Sequence, residues 1–267
     1  DGSIATGAAV SVMLIRAGVS PIATLPIAFL AGALAGMVTG LLNTALGIPG
    51  ILASILTQIS LYSINLNIMG KANQPVSVDN YPLVVSLRYV TDGSVSRLLF
   101  FLGMIVFLLA LIAVMYWYFG TEQGHAIRAT GCNGNMARAQ GINTNFIKVL
   151  ALMISNGLVG LCGALYGQFQ GASDVNMGRG AIVIGLAAVI IGEVLFSKFA
   201  SKRKLAFAFT LASVILGAVI YYMVYQFVLW LKMPSEDMKL FSAIVVAIFL
   251  AIPYLKEKRT LRKGASK

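Results

Sequence analysis

Acidic side chains are scarce in this chain, with nine Asp and Glu against 20 Lys and Arg in 267 residues. Charged residues of every kind reach only 11%, where a soluble domain carries about 25%. That shortage excludes an ordinary water-soluble fold. Histidine is nearly missing too: His125 is alone, and neither H-E-x-x-H nor G-x-S-x-G occurs, so the zinc-protease and serine-hydrolase readings fall away. His125 is read as an ordinary loop residue. Gly70-Lys71 lacks the upstream glycine and the following Ser or Thr of a phosphate-binding loop, and the chain is not expected to hydrolyse ATP itself. No catalytic residue and no metal site is expected.

Cysteine is down to two. Cys132 lies in a polar stretch and Cys162 in an apolar run, at different expected depths. Bridging needs Cα atoms within about 7 Å, so two unpaired thiols are expected. The alternating segments of ~10 residues that build a membrane barrel are absent. The chain opens at Asp1 rather than Met, and no basic n-region or small-residue cleavage site precedes the first apolar run. That run is therefore not a signal peptide, and the natural protein is expected to carry an earlier span before Asp1.

What is present is apolar: 58% of the chain is hydrophobic. The runs fall near 3–15, 21–45, 48–70, 98–119, 149–171, 181–196, 205–231 and 238–255. A membrane helix needs about 20 such residues, so the pattern predicts an all-α, polytopic helical membrane protein of about eight spans. The first and sixth runs are short, as expected of half-helices or of helices continued by backbone buried in protein. Residues 1–255 read as one transmembrane domain and 256–267 as a basic tail.

The positive charges are unevenly placed. Arg128, Arg138, Lys148, Lys198, Lys202, Arg203, Lys204, Lys256, Lys258, Arg259, Arg262, Lys263 and Lys267 fall on one set of loops. Arg16, Lys71, Arg88, Arg97, Arg179, Lys232 and Lys239 fall on the alternate set. Lys and Arg concentrate on the cytoplasmic side, which predicts a cytoplasmic C-terminus and a cytoplasmic loop 120–148. The net charge of +11 is then a topology signal, and a nucleic-acid partner is not needed to explain it.

Two spans carry small residues every fourth position: Gly32, Gly36 and Gly40, then Gly163, Gly167 and Gly171. Such stripes let helix backbones approach closely in lipid, and packing is their expected use. "DGSIATGAAV" at 1–10 aligns with "DVNMGRGAIV" at 174–183, matching Asp1 with Asp174, Gly7 with Gly180, Ala8 with Ala181 and Val10 with Val183. They open the first and the sixth runs, five steps apart, so they would point in opposite directions, the pattern of an inverted repeat.

Asn156, Tyr166, Gln168, Gln170, Asp174 and Asn176 make the fifth span and its exit unusually polar. Polar side chains at such depth either face a water-filled path or bridge helices, and both readings stay open. Outside the membrane, loop 71–97 mixes Lys71, Asp79, Arg88, Asp92 and Arg97 with Tyr81 and Tyr89. Together with the Lys232–Lys239 loop it is expected to dock a soluble protein.

Loop 120–148 is long for a helix connection, which usually runs ~2–8 residues. "NGNMARAQG" within it predicts a short helix, capped by Asn133 or Asn135 and ended by Gly141 at the left-handed position. Met136, Ala137 and Ala139 give that helix a small, adaptable face suited to a cleft on another protein.

"AIRATGCNGNMARAQGIN" followed by "LMISNGLVGLCGALYGQFQG" and "DVNMGRGAIVIGLAAVIIGE" resembles the permease subunits of bacterial ABC importers in the branched-chain amino acid and ribose permease group. The likeness is nearest to their aromatic amino acid (tryptophan or tyrosine) branch. It extends over roughly residues 1–255, and relative to the group a first span is absent here. The resemblance implies that A-R-A-x-G-I-N lies in a coupling helix seated in a groove of a separate ATPase subunit. Arg128, Ala129, Asn133, Met136, Ala137, Arg138 and Gly141 would form that surface. It further implies a second permease copy, two ATPase subunits that hold ATP and magnesium, and an extracytoplasmic substrate-binding protein. No cofactor is expected in this chain. The place would be the bacterial cell membrane, and the solute an amino acid, with a sugar or nucleoside as alternatives. An ion-coupled secondary transporter is the competing class. Such carriers usually hold ionisable residues near mid-membrane, whereas Asp1, Asp174 and Glu193 lie near span ends and no Lys or Arg lies deep in a run. Coupling energy is expected from a partner.

Overall fold

Apolar runs in lipid become helices because their backbone has only itself to hydrogen-bond. The computed structural model describes residues 1–76, 81, 83–86, 94–200, 206–230 and 247. Within them lie α1 (Gly2–Arg16), α2 (Pro21–Thr44), α3 (Gly50–Met69), β1 (Asn73–Pro75), α4 (Ser94–Phe119), α5 (Glu122–Cys132), α6 (Gly134–Ala139), α7 (Thr144–Gln170), β2 (Ala172–Asp174), α8 (Ala181–Ala200) and α9 (Ala206–Trp230). Five of these helices are long and apolar enough to cross a membrane, and α1 and the stretch Ala181–Val194 are shorter apolar helices. Apart from residue 247, the expected span at 238–255 and the tail 256–267 lie outside the described residues. The chain forms two units, residues 1–111 with 117–179, and residues 112–116 with 180–267.

In the first unit α1 is the central helix. Nine of its 15 residues are buried, most of them Ala, Gly, Ser or Thr, so neighbours press on it from several sides. The glycine stripes explain how. A Cβ added at Gly32 would lie 2.3 Å from the Asn156 carbonyl oxygen, and one at Gly36 would lie 2.2 Å from that of Leu152. The stripe on α2 thus meets the backbone of α7, antiparallel to it. Further along the same stripe of α7, Gly163 meets the Ile4 carbonyl and Gly167 meets Ala8, while Gly7 meets the Gly160 carbonyl. Gly171, the last of the second stripe, serves differently. It ends α7 with φ +67°, a left-handed turn that glycine adopts without strain.

Polar pairs fasten the same contacts. Ser3 Oγ donates to Asn156 Oδ1 at 2.7 Å, and Thr39 Oγ1 donates to Thr57 Oγ1 at 2.9 Å between α2 and α3. Beyond the helix ends β1 and β2 pair antiparallel, Gln74 opposite Ser173, an element absent from the all-α reading. Gln74 is buried; its amide donates to the Met69 carbonyl and its oxygen accepts from the Arg16 guanidinium.

The second unit is built on α8 and α9. Gly192 lies against the Ser213 carbonyl and Gly217 against that of Ala188, with Ile191, Ala187 and Tyr221 in the core between them. Helix α8 runs on to Ala200, beyond the apolar run that ends at 196. Hydropathy falls at Ser197 and Lys198, but Lys, Phe and Ala continue a helix readily.

Candidate functional site

The polar stretch folds into two helices rather than one. Thr121 caps α5, its side chain accepting from the Gly124 amide. Asn133 then ends α5 and caps α6, its Oδ1 accepting from the amides of Asn135 and Met136 at 3.1 and 3.0 Å. At the other end the Gly141 amide donates to the Arg138 carbonyl and the Ile142 amide to that of Ala137, the paired bonds of a Schellman stop. Gly141 takes φ +85°, with open space where a Cβ would stand. The conformation, not crowding, therefore demands glycine there.

One face of this element is held and the other is open. Ala137 is buried, and the Arg138 guanidinium donates to Thr144 Oγ1 at 3.0 and 3.3 Å, tying α6 to the first turn of α7. Asn143 caps that turn by accepting from the Phe146 amide. Arg128, Ala129, Asn133, Met136 and Gly141 are exposed, and Met136 keeps 60% of its surface uncovered. An exposed Met and Ala surface on a rigidly capped helix pair is a ready contact for another protein. His125 spends its Nδ1 on the Thr121 carbonyl at 2.8 Å.

The polar residues of α7 separate by role. Gln168 is buried, and its amide Nε2 lies 3.1 Å from Ser11 Oγ, 3.2 Å from the Pro21 carbonyl and 3.2 Å from Thr24 Oγ1. Its oxygen accepts from the Val84 amide at 3.1 Å. Asn156 bonds Ser3 and the Leu152 carbonyl. Both side chains are committed to helix contacts. Gln170 Nε2 donates to Tyr166 Oη at 2.6 Å on the exposed face, and Asp174 Oδ1 accepts from the Asn176 amide at 2.7 Å.

Of the six, Asn176 alone lines a cavity of about 290 Å³ whose other walls come from α1, α3 and the segment after β2. Gln58, Tyr62 and Asn65 approach it from α3, Asp1 and Gly2 from the start of α1, and Gly178 and Arg179 from the return segment. Gln58, Tyr62 and Asn65 stand at i, i+4 and i+7, one helix face. That polar spacing in an apolar span was the available signal. The run of flanking Ile and Leu masked it.

The backbone after β2 turns back into the unit: a Cβ on Gly178 would lie 2.1 Å from the Asp1 carbonyl oxygen, and one on Gly2 would lie 3.3 Å from the Gln58 Cα. Gln58 is the ninth of the 20 residues of α3, about 12 Å along a helix that rises 1.5 Å per residue. The return segment therefore brings Gly178 beside the start of α1, which itself lies against the middle of α3, and Arg179, the next residue, is exposed. Of the expected outer docking surface, Lys71, Tyr81 and Arg97 are described, whereas Asp79, Arg88, Tyr89, Asp92, Lys232 and Lys239 lie outside the described residues.

Residues 1–253 match the family described as the permease component of a branched-chain amino acid transport system. The chain is 39% identical over 251 residues to a tyrosine transport system permease protein of Clostridioides difficile, covering 94% of this chain and 79% of that one. It is 30% identical to an uncharacterised protein of Rickettsia prowazekii, covering 94% and 85%. It is 28% identical to an autoinducer 2 import system permease protein of Yersinia pseudotuberculosis, covering 88% and 62%. No solved structure matches it.

Proposed function

We propose a function that begins from kinship: this chain belongs to the branched-chain amino acid transport system permease family. It is a multi-pass membrane protein and a transport subunit. In our reading it sits in the bacterial cell membrane with its C-terminus cytoplasmic and pairs with a second copy around a central path. Two separate ATPase subunits, which hold ATP and magnesium, dock on the exposed surface of α5 and α6. An extracytoplasmic binding protein delivers the solute, an amino acid.

The observation that carries this reading is the capped helix pair itself. It is too polar to enter lipid, too ordered for a tether, and exposes Met136 beside Arg128 and Ala129. Its buried Ala137 and the Arg138–Thr144 bonds give a push on α6 a direct route into α7. Helix α7 in turn touches both α1 and α2 backbone to backbone, so motion at the docking surface reaches the centre of the unit. The tyrosine permease among its relatives supports an amino acid over a sugar or nucleoside.

The test is import into proteoliposomes holding the permease with candidate ATPase and binding-protein partners, against a panel of amino acids, sugars and nucleosides. ATP-dependent uptake of an amino acid is expected. Uptake driven by an ion gradient with no ATPase present would sink the importer reading. Uptake of sugars alone would sink the amino acid.

A further inference from the structure

A second cavity, of about 470 Å³, lies within the first unit beside α4. Leu25 of α2, Leu165 of α7 and the pair Val84 and Val85 wall one side. Helix α4 walls the other with Phe100, Met104 and Phe107, at i, i+4 and i+7 on one face. Leu25 is the fifth residue of α2, Phe100 the seventh of α4 and Leu165 the sixth from the end of α7, so the cavity occupies the leaflet away from α5 and α6. Helix α4 stands off from its neighbours there. Among the described residues, none in its most apolar stretch is buried. A Cβ on Gly103, which also lines the cavity, would meet nothing within 4 Å, whereas one on Gly32 or Gly36 would meet a carbonyl oxygen of α7 at 2.3 or 2.2 Å.

Left empty, such a space strips its walls of dispersion partners. Filled with water, it would have to offer each molecule about two to four polar partners. Every lining side chain is apolar, and the Val84 amide is already spent on Gln168. The mouth points to a different occupant. Leu99 lines the cavity yet keeps 65% of its surface open, and Leu98, Leu102 and Val106 beside it are exposed as well. On a membrane-spanning helix that surface faces hydrocarbon, so the cavity is continuous with the lipid. We propose that a phospholipid acyl chain enters it sideways from the bilayer and serves as the spacer between α4 and the α2–α7 pair. The acyl chain supplies the dispersion contacts that no side chain supplies there, and it asks for no polar partner. Helix α4 runs into α5 through Gly120 and Thr121. A lipid seated in the cavity therefore steadies the helix that leads to the exposed α5–α6 surface. The inference rests on the membrane-spanning fold alone and holds whatever the solute.

Brominated lipid tests it, because bromine on an acyl chain quenches tryptophan fluorescence on contact. The full-length protein, with Trp117 and Trp230 replaced by Phe, receives one tryptophan reporter at a time. Each is reconstituted in vesicles of dioleoyl or dibromostearoyl phosphatidylcholine. Leu165→Trp and Leu25→Trp, half-buried positions on two walls, should be quenched at least half as strongly as Leu102→Trp on the open face of α4. Tyr221→Trp, in the core of the second unit, should lose little. Gly103→Phe puts a ring into the cavity; it should cut the quenching of Leu165→Trp at least twofold and leave that of Leu102→Trp unchanged. Reporters at 165 and 25 as sheltered from bromine as Tyr221→Trp would overturn the proposal, since a protein segment would then be the cover. Quenching of either by aqueous iodide would overturn it too, because the cavity would be wet. So would undiminished bromine quenching of Leu165→Trp in a folded Gly103→Phe variant. Where Gly103→Phe does not fold, the two wall reporters decide the matter by themselves.

Discussion

Gly32→Ala is the sharpest perturbation of the helix packing, since it adds one methyl and nothing else. The new carbon would stand 2.3 Å from the Asn156 carbonyl oxygen, where ordinary contact begins at 3.4 Å, so α2 and α7 must separate by about 1.1 Å or twist. A gap of 0.5–1 Å forfeits roughly a quarter to a half of each dispersion well along the seam, and overpacking of this kind costs about 1–3 kcal/mol. Asn156 also holds Ser3, and disturbing that bond adds about 1 kcal/mol. We expect a loss of about 2–4 kcal/mol for Gly32→Ala and a similar loss for Gly36→Ala. Gly40→Ala should lose about 1 kcal/mol, because its carbon would stand 2.9 Å from the Val149 Cα. Gly103→Ala is the control: nothing lies within 4 Å of it, and alanine favours the helix by about 0.5–1 kcal/mol. Thermal unfolding in detergent, followed by the fraction that remains monodisperse, ranks the four. A common midpoint for all of them, or Gly40→Ala as the worst, would refute the close approach of α2 and α7.

Met136→Asp puts a charge into the proposed ATPase contact, where an unpaired buried charge costs several kcal/mol; insertion and pairing should be normal while ATPase binding is lost. Gly141→Val must hold φ +85° with a branched side chain, a strain of about 1–2 kcal/mol, and should uncouple hydrolysis from uptake. Lys263→Ala, which removes one of the six basic residues of the tail, should be silent. Wild-type stimulated hydrolysis in both Met136→Asp and Gly141→Val would refute the coupling surface. Gln168→Ala strips partners from Ser11, Thr24 and the Val84 amide and should lower stability by about 2–4 kcal/mol, with an unchanged melting curve as the contrary result. Weighing the purified active complex should find two permease copies, and a single copy in a stable, active complex would end that expectation.

Five of the eight expected spans were legible as long apolar helices, because about 20 consecutive apolar residues suit a bilayer and little else. The cap at Asn133 and the stop at Gly141 were legible because they follow from local backbone chemistry. Helix α5 was not: "EQGHAIRATGC" has no apolar period and two glycines, and its start depends on Thr121 accepting from Gly124. Nor was the β1–β2 pair, three residues on each side, which no periodicity can announce. The cavity beside α1 was hidden for a related reason. The return segment reads as a plain loop until it is seen to pack on Asp1, a contact between residues far apart in sequence. The six polar residues of α7 and its exit were all visible, but whether each faces a partner helix or a space is decided by neighbours.

The meeting of α1 with α7 also sets a clock. Ser3 and Asn156 are 153 residues apart, and a ribosome adds about 5–20 residues each second. For roughly 8–30 seconds the newborn α1 and α2 therefore lie in the bilayer without the helix that fills their glycine grooves, and Ser11 and Thr24 wait for Gln168. Through that interval the half-made chain presents narrow, sticky ridges to every other helix in the membrane. Insertion factors that shelter small-residue ridges would matter most to this protein between the emergence of α2 and that of α7. A chain cut short before residue 144 should be cleared by membrane proteases rather than accumulate.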